Sequence, residues 1–431
     1  MMHLDEARRE TAAVLQQSDA VLERSVLIDD VFGKIRVVAW FGADVPRNAE
    51  ERLRKDLTTA AGPFWAGDLW VANGATAADL QVYETAWDEA EEITPKSRRS
   101  ERRRTRGFWL EAPSEPAWVL PEDESSVPIV AFYSFKGGVG RTTALASFAI
   151  QRARQGERVA VLDLDLDAPG VGLLLDPGDL SQPSKWGVVD YLLEAPLVDQ
   201  VDLKDYCHVY AREAVTGAGD ILVFPSGRLD SDYLATLARL DLEPPHSGEK
   251  HPLLRLLEQV RDELRPNWIV LDCRAGLSEA SGFALSGLAH LTVLLGTTSD
   301  QSWAGLRLLL DRLGAERVHK SKPQSECLIV QAMVPEDPTV GQLATEQFTE
   351  RAAEEFERSY YAENPADPEE DAYWYVRDMD TVDAPHVPVA LSYKTRLAFL
   401  RSIEDAIPVF QESEYSALES RISSRFGKEE A

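Results

Sequence analysis

The segment FKGGVGRTT, residues 135–143, decides the fold of this 431-residue chain. It follows an apolar run, PIVAFYS, that predicts a buried strand, and it precedes a helical pattern that extends to Gln155. Glycines let the backbone bend until successive N–H groups point inward, and the N-terminus of the following helix adds partial positive charge. The segment therefore predicts a phosphate-binding loop between a strand and a helix, in which Thr142 can ligate Mg²⁺.

Downstream of this loop, short apolar segments alternate with helical patterns. Five of them are RVAVLDLD, DILVFPSG, NWIVLDCRAG, HLTVLLGT and ECLIVQAMV. Strands that are buried on both faces and separated by helices indicate an α/β domain with a doubly wound, mostly parallel sheet. We predict this domain over residues 127–407.

Aspartates close two of these strand segments. Asp163 and Asp165 end RVAVLDLD, and Asp272 ends WIVLD. A carboxylate at the end of a buried strand can face a bound cation, and alternate residues of a strand share a face. Asp163 and Asp165 are therefore expected to point at the same ligand, beside the phosphate-binding loop.

The loop departs from the strict Walker A pattern twice, because Phe135 replaces the first glycine and Arg141 replaces the lysine. With Lys136 ahead of two glycines, KGGVGRTT instead resembles the deviant Walker A motif, KGGxGKTT, of the ParA/MinD family of P-loop ATPases. The resemblance extends over about residues 127–407. It implies an ATP·Mg²⁺ site whose loop residues are Lys136, Gly137, Gly138, Val139, Gly140, Arg141, Thr142 and Thr143.

The same resemblance implies a role for each polar residue. Lys136 would contact phosphates across a nucleotide-sandwich dimer, Arg141 would contact the β- and γ-phosphates of its own subunit, and Asp165 would orient the attacking water. The implied catalytic residues are Asp165, Lys136 and Arg141, and the implied metal ligands are Thr142, Asp163 and Asp272.

The family resemblance also extends to residues predicted to bind the nucleotide outside the glycine-rich loop and to the segment that begins at Asp272. Gln331 occupies the place where the family often has an asparagine near the adenine, and Pro388 resembles part of a later family loop. From Asp272 the chain reads DCRAG where the family commonly has a DxPP-like sequence. The chain is similar here to a KGGVGRT-type subgroup that occurs in multi-gene systems, including defence systems.

Four further segments surround the motifs. Residues 1–93 contain one clear strand pattern, IRVVAWF at 35–41, between helical patterns, which predicts a separate small α/β or α+β module. Residues 94–126 combine a basic run, 96–106, with a Pro-, Glu- and Ser-rich stretch, and we predict a linker. An acidic insertion with aromatic anchors is predicted at about 354–383, and a charged helix at 408–431.

The composition excludes several classes of protein. The 73 acidic residues exceed the 45 basic ones and leave a formal charge of −28, which disfavours nucleic acid and anionic membranes as partners. The three cysteines are too few and too far apart for a disulfide framework or a zinc site. Since no apolar run is long enough to span a bilayer, we expect a cytoplasmic protein without membrane attachment.

These observations predict an ATP-dependent switch. We expect ATP·Mg²⁺ binding, slow hydrolysis, ATP-dependent homodimerisation, and signalling to a protein partner through the N-terminal module or the acidic insertion. Arg141 leaves turnover open, so a nucleotide sensor or scaffold that does not hydrolyse ATP is the first alternative. A P-loop protein-tyrosine kinase, suggested by Tyr360, Tyr361, Tyr373 and Tyr375, and a DNA-partitioning ATPase are the others.

Overall fold

The chain divides into two compact units, residues 1–107 and 108–431. The computed structural model describes residues 2–30, 32–43, 45–101, 116–120, 127–175, 186–198, 201–240, 242, 250–278, 282, 287–314, 325–363 and 374–427. Each unit contains its own sheet and its own hydrophobic core.

The N-terminal unit is a five-stranded mixed sheet covered by helices. Its elements are α1 (Leu4–Gln17), β1 (Leu22–Asp29), β2 (Ile35–Phe41), α2 (Ala49–Ala61), β3 (Trp65–Val71), α3 (Ala77–Asp88), β4 (Glu91–Thr94) and β5 (Ser97–Glu101), and the strand order is β3-β2-β1-β5-β4. Helices α1 and α2 bury Leu15 and Leu53 in the core that also holds Leu27, whereas α3 belongs to a second core around Trp40.

Strand β1 and strand β5 correct the sequence-based prediction for this unit. The helical pattern predicted ahead of the 35–41 strand spans residues 6–26, but its last residues, 22–26, belong to the central strand, which is mostly buried. The predicted boundary at residue 93 and the linker start at residue 94 are also wrong. Strand β5 pairs with β1, and Arg99 of the basic run contacts the buried carboxylate of Asp29 with an Nε–Oδ2 distance of 2.8 Å.

The second unit has the predicted doubly wound architecture. Its strands are β6 (Ile129–Ser134), β7 (Arg158–Leu164), β8 (His208–Tyr210), β9 (Asp220–Phe224), β10 (Trp268–Cys273), β11 (Leu291–Gly296), β12 (Glu326–Val334) and β13 (Val389–Ser392). They lie in the order β13-β12-β11-β6-β10-β7-β9-β8, and every pair is parallel except β8 with β9. The six strand segments predicted from the sequence are confirmed; the short edge strands β8 and β13 were missed.

The helices of this unit cover both faces of its sheet. They are α4 (Arg141–Arg154), α5 (Val171–Leu174), α6 (Val188–Glu194), α7 (Glu213–Thr216), α8 (Tyr233–Leu237), α9 (Pro252–Gln259), α10 (Asp300–Gly314), α11 (Pro338–Ser359), α12 (Thr395–Ala398), α13 (Ile407–Phe410) and α14 (Ser413–Ser424). Along β6, Ala131 and Tyr133 belong to one core and Val130 and Phe132 to the other. The central strand is therefore buried on both faces, which explains its continuous apolar sequence.

The predicted acidic insertion is partly a continuation of the fold. Its first residues complete α11, and Tyr360, Tyr361 and Tyr375 are buried, while residues 364–373 lie outside the described part of the chain. The Tyr360 hydroxyl accepts a hydrogen bond from the backbone N–H of Cys327, at 3.2 Å. The three tyrosines therefore anchor this segment, as aromatic residues packed inside the unit.

The C-terminal charged helix also packs into the second unit. Tyr415, Leu418 and Ile422 of α14 belong to the core that contains α4 and β13.

Within the parts of the chain that the structure describes, no helix combines the length and apolar composition needed to cross a bilayer.

Candidate functional site

The glycine-rich loop joins β6 to α4 at the carboxyl end of the parallel sheet. Gly138 and Gly140 have φ angles of 74° and 85°, which L-residues rarely adopt. A Cβ atom at either position would meet nothing within 4 Å, so these positions need glycine for its backbone conformation and not for space. Val139 is buried and holds the loop against the core, while Lys136 is exposed.

Arg141, the first residue of α4, turns its side chain into the protein. It is 8% exposed, its Nε atom lies 2.6 Å from Oδ1 of Asp272, and its Nη2 atom lies 2.8 Å from Oδ2 of Asp165. Burial alone would lower the pKa of the guanidinium, but Asp272 and Asp165 raise it above its ordinary value. One guanidinium thus connects the ends of two neighbouring strands.

Thr142 and Asp272 form the oxygen-rich side of this cluster. The Thr142 hydroxyl donates to Oδ2 of Asp272 at 2.8 Å, and Asp272 is fully buried at the end of β10. Burial raises the pKa of Asp272, although Arg141 and Thr142 oppose the shift. Hydroxyl and carboxylate oxygens are the donors that Mg²⁺ prefers, and Mg²⁺ usually takes few protein ligands because substrate phosphates supply others, so this pair fits the implied ion.

A cavity of about 650 Å³ opens beside the loop and has the size of a small-molecule site. One side carries residues 137–143 together with Asp165, Arg274 and Ala275. The far side is formed by β12, β13 and the helices that follow, and its lining residues are Met333, Leu391, Ser392, Tyr393, Lys394, Leu397, Ala398 and Tyr415. The backbone and side chain of Ser392 both donate to Glu414, which connects this wall to α14.

Residues 130–355, just over half of the chain, match the family described as the CobQ/CobB/MinD/ParA nucleotide binding domain. The chain belongs to this family. An uncharacterized ATP-binding protein of Methanocaldococcus jannaschii is 26% identical over 232 residues, which are 50% of this chain and 76% of that protein. The septum site-determining protein MinD of a Synechocystis strain is 26% identical over 174 residues, which are 40% of this chain but only 54% of that relative.

A solved structure with a similar fold is the cell division ATPase MinD of Pyrococcus furiosus. It has 16% identity and a TM-score of 0.43, and the alignment covers 70% of this chain and 99% of that one.

Asp163, the first of the two aspartates that end the RVAVLDLD segment, has contacts that the sequence does not reveal. Asp163 accepts backbone hydrogen bonds from Asp165 at 3.1 Å, Gly170 at 3.1 Å and Gly172 at 3.3 Å. Burial, followed by the neighbouring charge of Asp272, raises the pKa of Asp163 to about 7. Its carboxylate therefore holds the loop after β7, and its implied place in a magnesium shell stays a prediction.

The loop after β10, where this chain departs from the family's DxPP-like sequence, is held in two ways. The Tyr133 hydroxyl donates to the carbonyl of Gly276 at 3.0 Å, and Arg274 forms an ion pair with Asp167. Arg274 also lines the cavity and was not among the predicted site residues. Its position directly after the Asp272 strand was the sequence signal that could have identified it.

Gln331 and Pro388, the two predicted cofactor-binding residues outside the glycine-rich loop, do not line the cavity. Gln331 is 1% exposed within β12, its Oε1 atom makes no hydrogen bond to any described residue, and Pro388 precedes β13. Met333 lines the cavity instead, because the β12–β13 register shifts between Gln331 and Val334 and Met333 has a φ of 61°. Nucleotide binding by Gln331 and Pro388 stays a prediction.

Proposed function

We propose that this protein binds ATP·Mg²⁺ and acts as a slow ATPase switch that dimerises in its ATP-bound form. The observation that carries the proposal is the cluster of Arg141, Thr142, Asp165 and Asp272 at the start of α4, beside a nucleotide-sized cavity. Family membership supports a nucleotide, and the Methanocaldococcus jannaschii relative, named as an ATP-binding protein, supports ATP.

Each side chain has a stated part in this proposal. The backbone N–H groups of the loop and the α4 N-terminus bind phosphate oxygens, and Thr142 with Asp272 would hold Mg²⁺. The bound ion supplies positive charge next to the phosphates. Asp165 would orient the attacking water molecule at the mouth of the loop. Phosphoryl transfer mainly needs positioning and charge neutralisation, which these groups would supply.

Arg141 is the reason that we expect hydrolysis to be slow. A guanidinium keeps its positive charge and can bind phosphate oxygens, but it is bulkier than an ammonium group and offers a planar fork. Its pairing with Asp165 also occupies the carboxylate that would orient water. The same contact favours the second candidate function, a nucleotide sensor that binds ATP without turning it over.

Dimerisation is proposed because Lys136 is exposed and makes no ion pair with any described residue. Its burial against the phosphates of a second subunit is favourable only when nucleotide is present, which would couple binding to assembly. A protein partner, contacted through the N-terminal module or residues 354–383, would receive the signal in the cytoplasm. A role in a multi-protein system, such as bacterial defence, is proposed from the sequence resemblance alone.

Light scattering after size-exclusion chromatography, with and without ATP·Mg²⁺, tests this proposal when released phosphate is assayed in the same samples. We expect an ATP-dependent dimer in the wild type and in Lys204→Ala, a matched change of an exposed lysine. Lys136→Ala should stay monomeric. A dimer without measurable phosphate release would select the sensor, and no nucleotide-dependent change in the wild type would refute the switch.

A further inference from the structure

We propose that Arg141 is a latch that keeps Asp272 and Asp165 away from Mg²⁺ and water until phosphate oxygens draw the guanidinium to the loop. This inference rests on the proposed nucleotide binding at that loop. The inference goes beyond nucleotide binding because it assigns to Arg141 a second set of partners, the two carboxylates. The exchange of these partners for phosphate oxygens would make the carboxylates available to Mg²⁺ and water.

The contacts define the latched arrangement. Nε and Nη2 lie on the same edge of the guanidinium, yet they donate to carboxylates from two different segments, the end of β10 and the loop after β7. The side chains of Arg141, Asp272 and Asp165 are 8%, 0% and 10% exposed. Both carboxylates thus share the single positive charge of a cation that solvent barely reaches.

Burial makes this contact costly to break without a replacement. Removing one partner from a buried ion pair leaves an uncompensated charge, which proteins tolerate poorly. If Arg141 moved to phosphate oxygens alone, Asp272 and Asp165 would remain buried and unpaired beside an anionic ligand. A cation that arrives at Thr142 and Asp272 removes this penalty, because it takes over the charge that Arg141 gave up.

Nucleotide and Mg²⁺ should therefore bind cooperatively. Phosphate binding frees the carboxylates for the ion, and the ion stabilises the carboxylates that the guanidinium has left, so each ligand raises the affinity for the other by the same factor. A lysine at this position would couple them less, because a compact ammonium lacks the fork that spans two carboxylates.

Calorimetric binding of ADP, in EDTA and in millimolar Mg²⁺, measures this coupling without the complication of hydrolysis. Asp165→Asn removes one of the two ion pairs of Arg141. We expect the Mg²⁺-free affinity for ADP to rise about tenfold, near the lower end of typical coupling factors. Asp167→Asn is the matched control. It removes a carboxylate of the same loop that pairs with Arg274 and not with Arg141, so it should raise the Mg²⁺-free affinity less than Asp165→Asn does.

A double-mutant cycle separates the latch from simple charge repulsion. In the Arg141→Lys background, Asp165→Asn should no longer raise the Mg²⁺-free affinity. An equal rise in both backgrounds, or an equal rise in Asp167→Asn, would overturn the latch. If Asp165→Asn does not fold, Arg141→Lys decides alone, since unchanged coupling in that variant also overturns the latch. Absence of ADP and ATP binding in the wild type would instead refute the proposed function.

Discussion

Helix α4 carries two buried arginines, one near each end, and both bind carboxylates. Arg152 donates twice to Glu157, at 2.7 Å each, and once to Glu419 at 2.8 Å, and its guanidinium lies 5.2 Å from the Trp268 ring centroid. Its partners are parts of the fold that no ligand would replace. Arg141 holds two carboxylates at the mouth of a cavity, where phosphate and a cation could compete for all three groups.

The helix dipole sharpens the difference between them. Arg152 lies in the last turn of α4, where a cation is favoured, whereas Arg141 lies at the first position, where the partial positive charge of the helix opposes it. The same residue type on the same helix is thus a permanent clamp at one end and an exchangeable contact at the other. What distinguishes them is the set of competing partners and not the strength of one ion pair.

The largest expected effect comes from removing the clamp. Arg152→Ala leaves Glu419 buried without its cation, and we expect the free energy of unfolding to fall by about 3–5 kcal/mol. Denaturant titration measures this, with Arg158→Ala as a control, because its exposed pair with Asp220 should contribute about 1 kcal/mol or less. Similar losses of unfolding free energy in Arg152→Ala and Arg158→Ala would contradict the structural role assigned to Arg152.

Arg141→Ala should also destabilise the protein, but Mg²⁺ should restore part of the loss. The ion can neutralise the carboxylates of Asp272 and Asp165 in place of the guanidinium. Thermal unfolding of both variants in EDTA and in Mg²⁺ provides the measurement. A midpoint that rises with Mg²⁺ in Arg141→Ala and not in Arg152→Ala supports the exchangeable contact. The same Mg²⁺ response in both variants would contradict it.

Asp163, which neither arginine binds, should make stability depend on pH. Burial and the charge of Asp272 raise its pKa in the folded protein to about 7, from an ordinary value of 3.8. The folded state therefore holds this proton more tightly than the unfolded chain, and the stabilisation is present at acid pH and lost as the pH rises through about 7. Between about pH 4 and pH 7, the urea midpoint of the wild type should fall with rising pH relative to that of Asp163→Asn. Parallel profiles would mean that Asp163 does not titrate there.

The smallest expected effect concerns the loop backbone ahead of Arg141. Gly140→Ala places an L-residue at a φ of 85°, where a Cβ would meet no atom within 4 Å, so only the backbone conformation should be penalised, by about 1–2 kcal/mol. Denaturant titration tests this against Ala146→Gly, which should cost about 1 kcal/mol or somewhat more within α4. An unfolding free energy unchanged by Gly140→Ala would show that the loop relaxes freely.

The sequence predicts the second unit well because its sheet is buried on both faces. Continuous apolar runs such as WIVLD have few alternative interpretations, and parallel strands bring their carboxyl ends to one edge, which places Asp165 and Asp272 beside the loop. The N-terminal unit was predicted less well. In β1, polar residues such as Glu23 and Arg24 interrupt the apolar pattern, and strand pairing with the distant β5 decides the outcome.

Within the site, residue types were predictable and their contacts were not. The motif identifies Arg141, Thr142 and Asp272, but it contains no information on where a guanidinium points when carboxylates and phosphates both attract it. Met333 illustrates another limit. A non-glycine residue with positive φ at a strand irregularity has no sequence signal, since the bulge arises from the register between β12 and β13.

The connection between α14 and the cavity has a practical consequence. Tyr415 forms part of the cavity wall, and Glu414 accepts two hydrogen bonds from Ser392 across from the glycine-rich loop. A polypeptide shortened before residue 413 would keep every motif residue and still lose Tyr415 from the cavity wall and the Glu414 carboxylate that binds Ser392. Weak ligand binding by such a truncated protein would reflect the missing helix, and it would be misread as a defect of the motif.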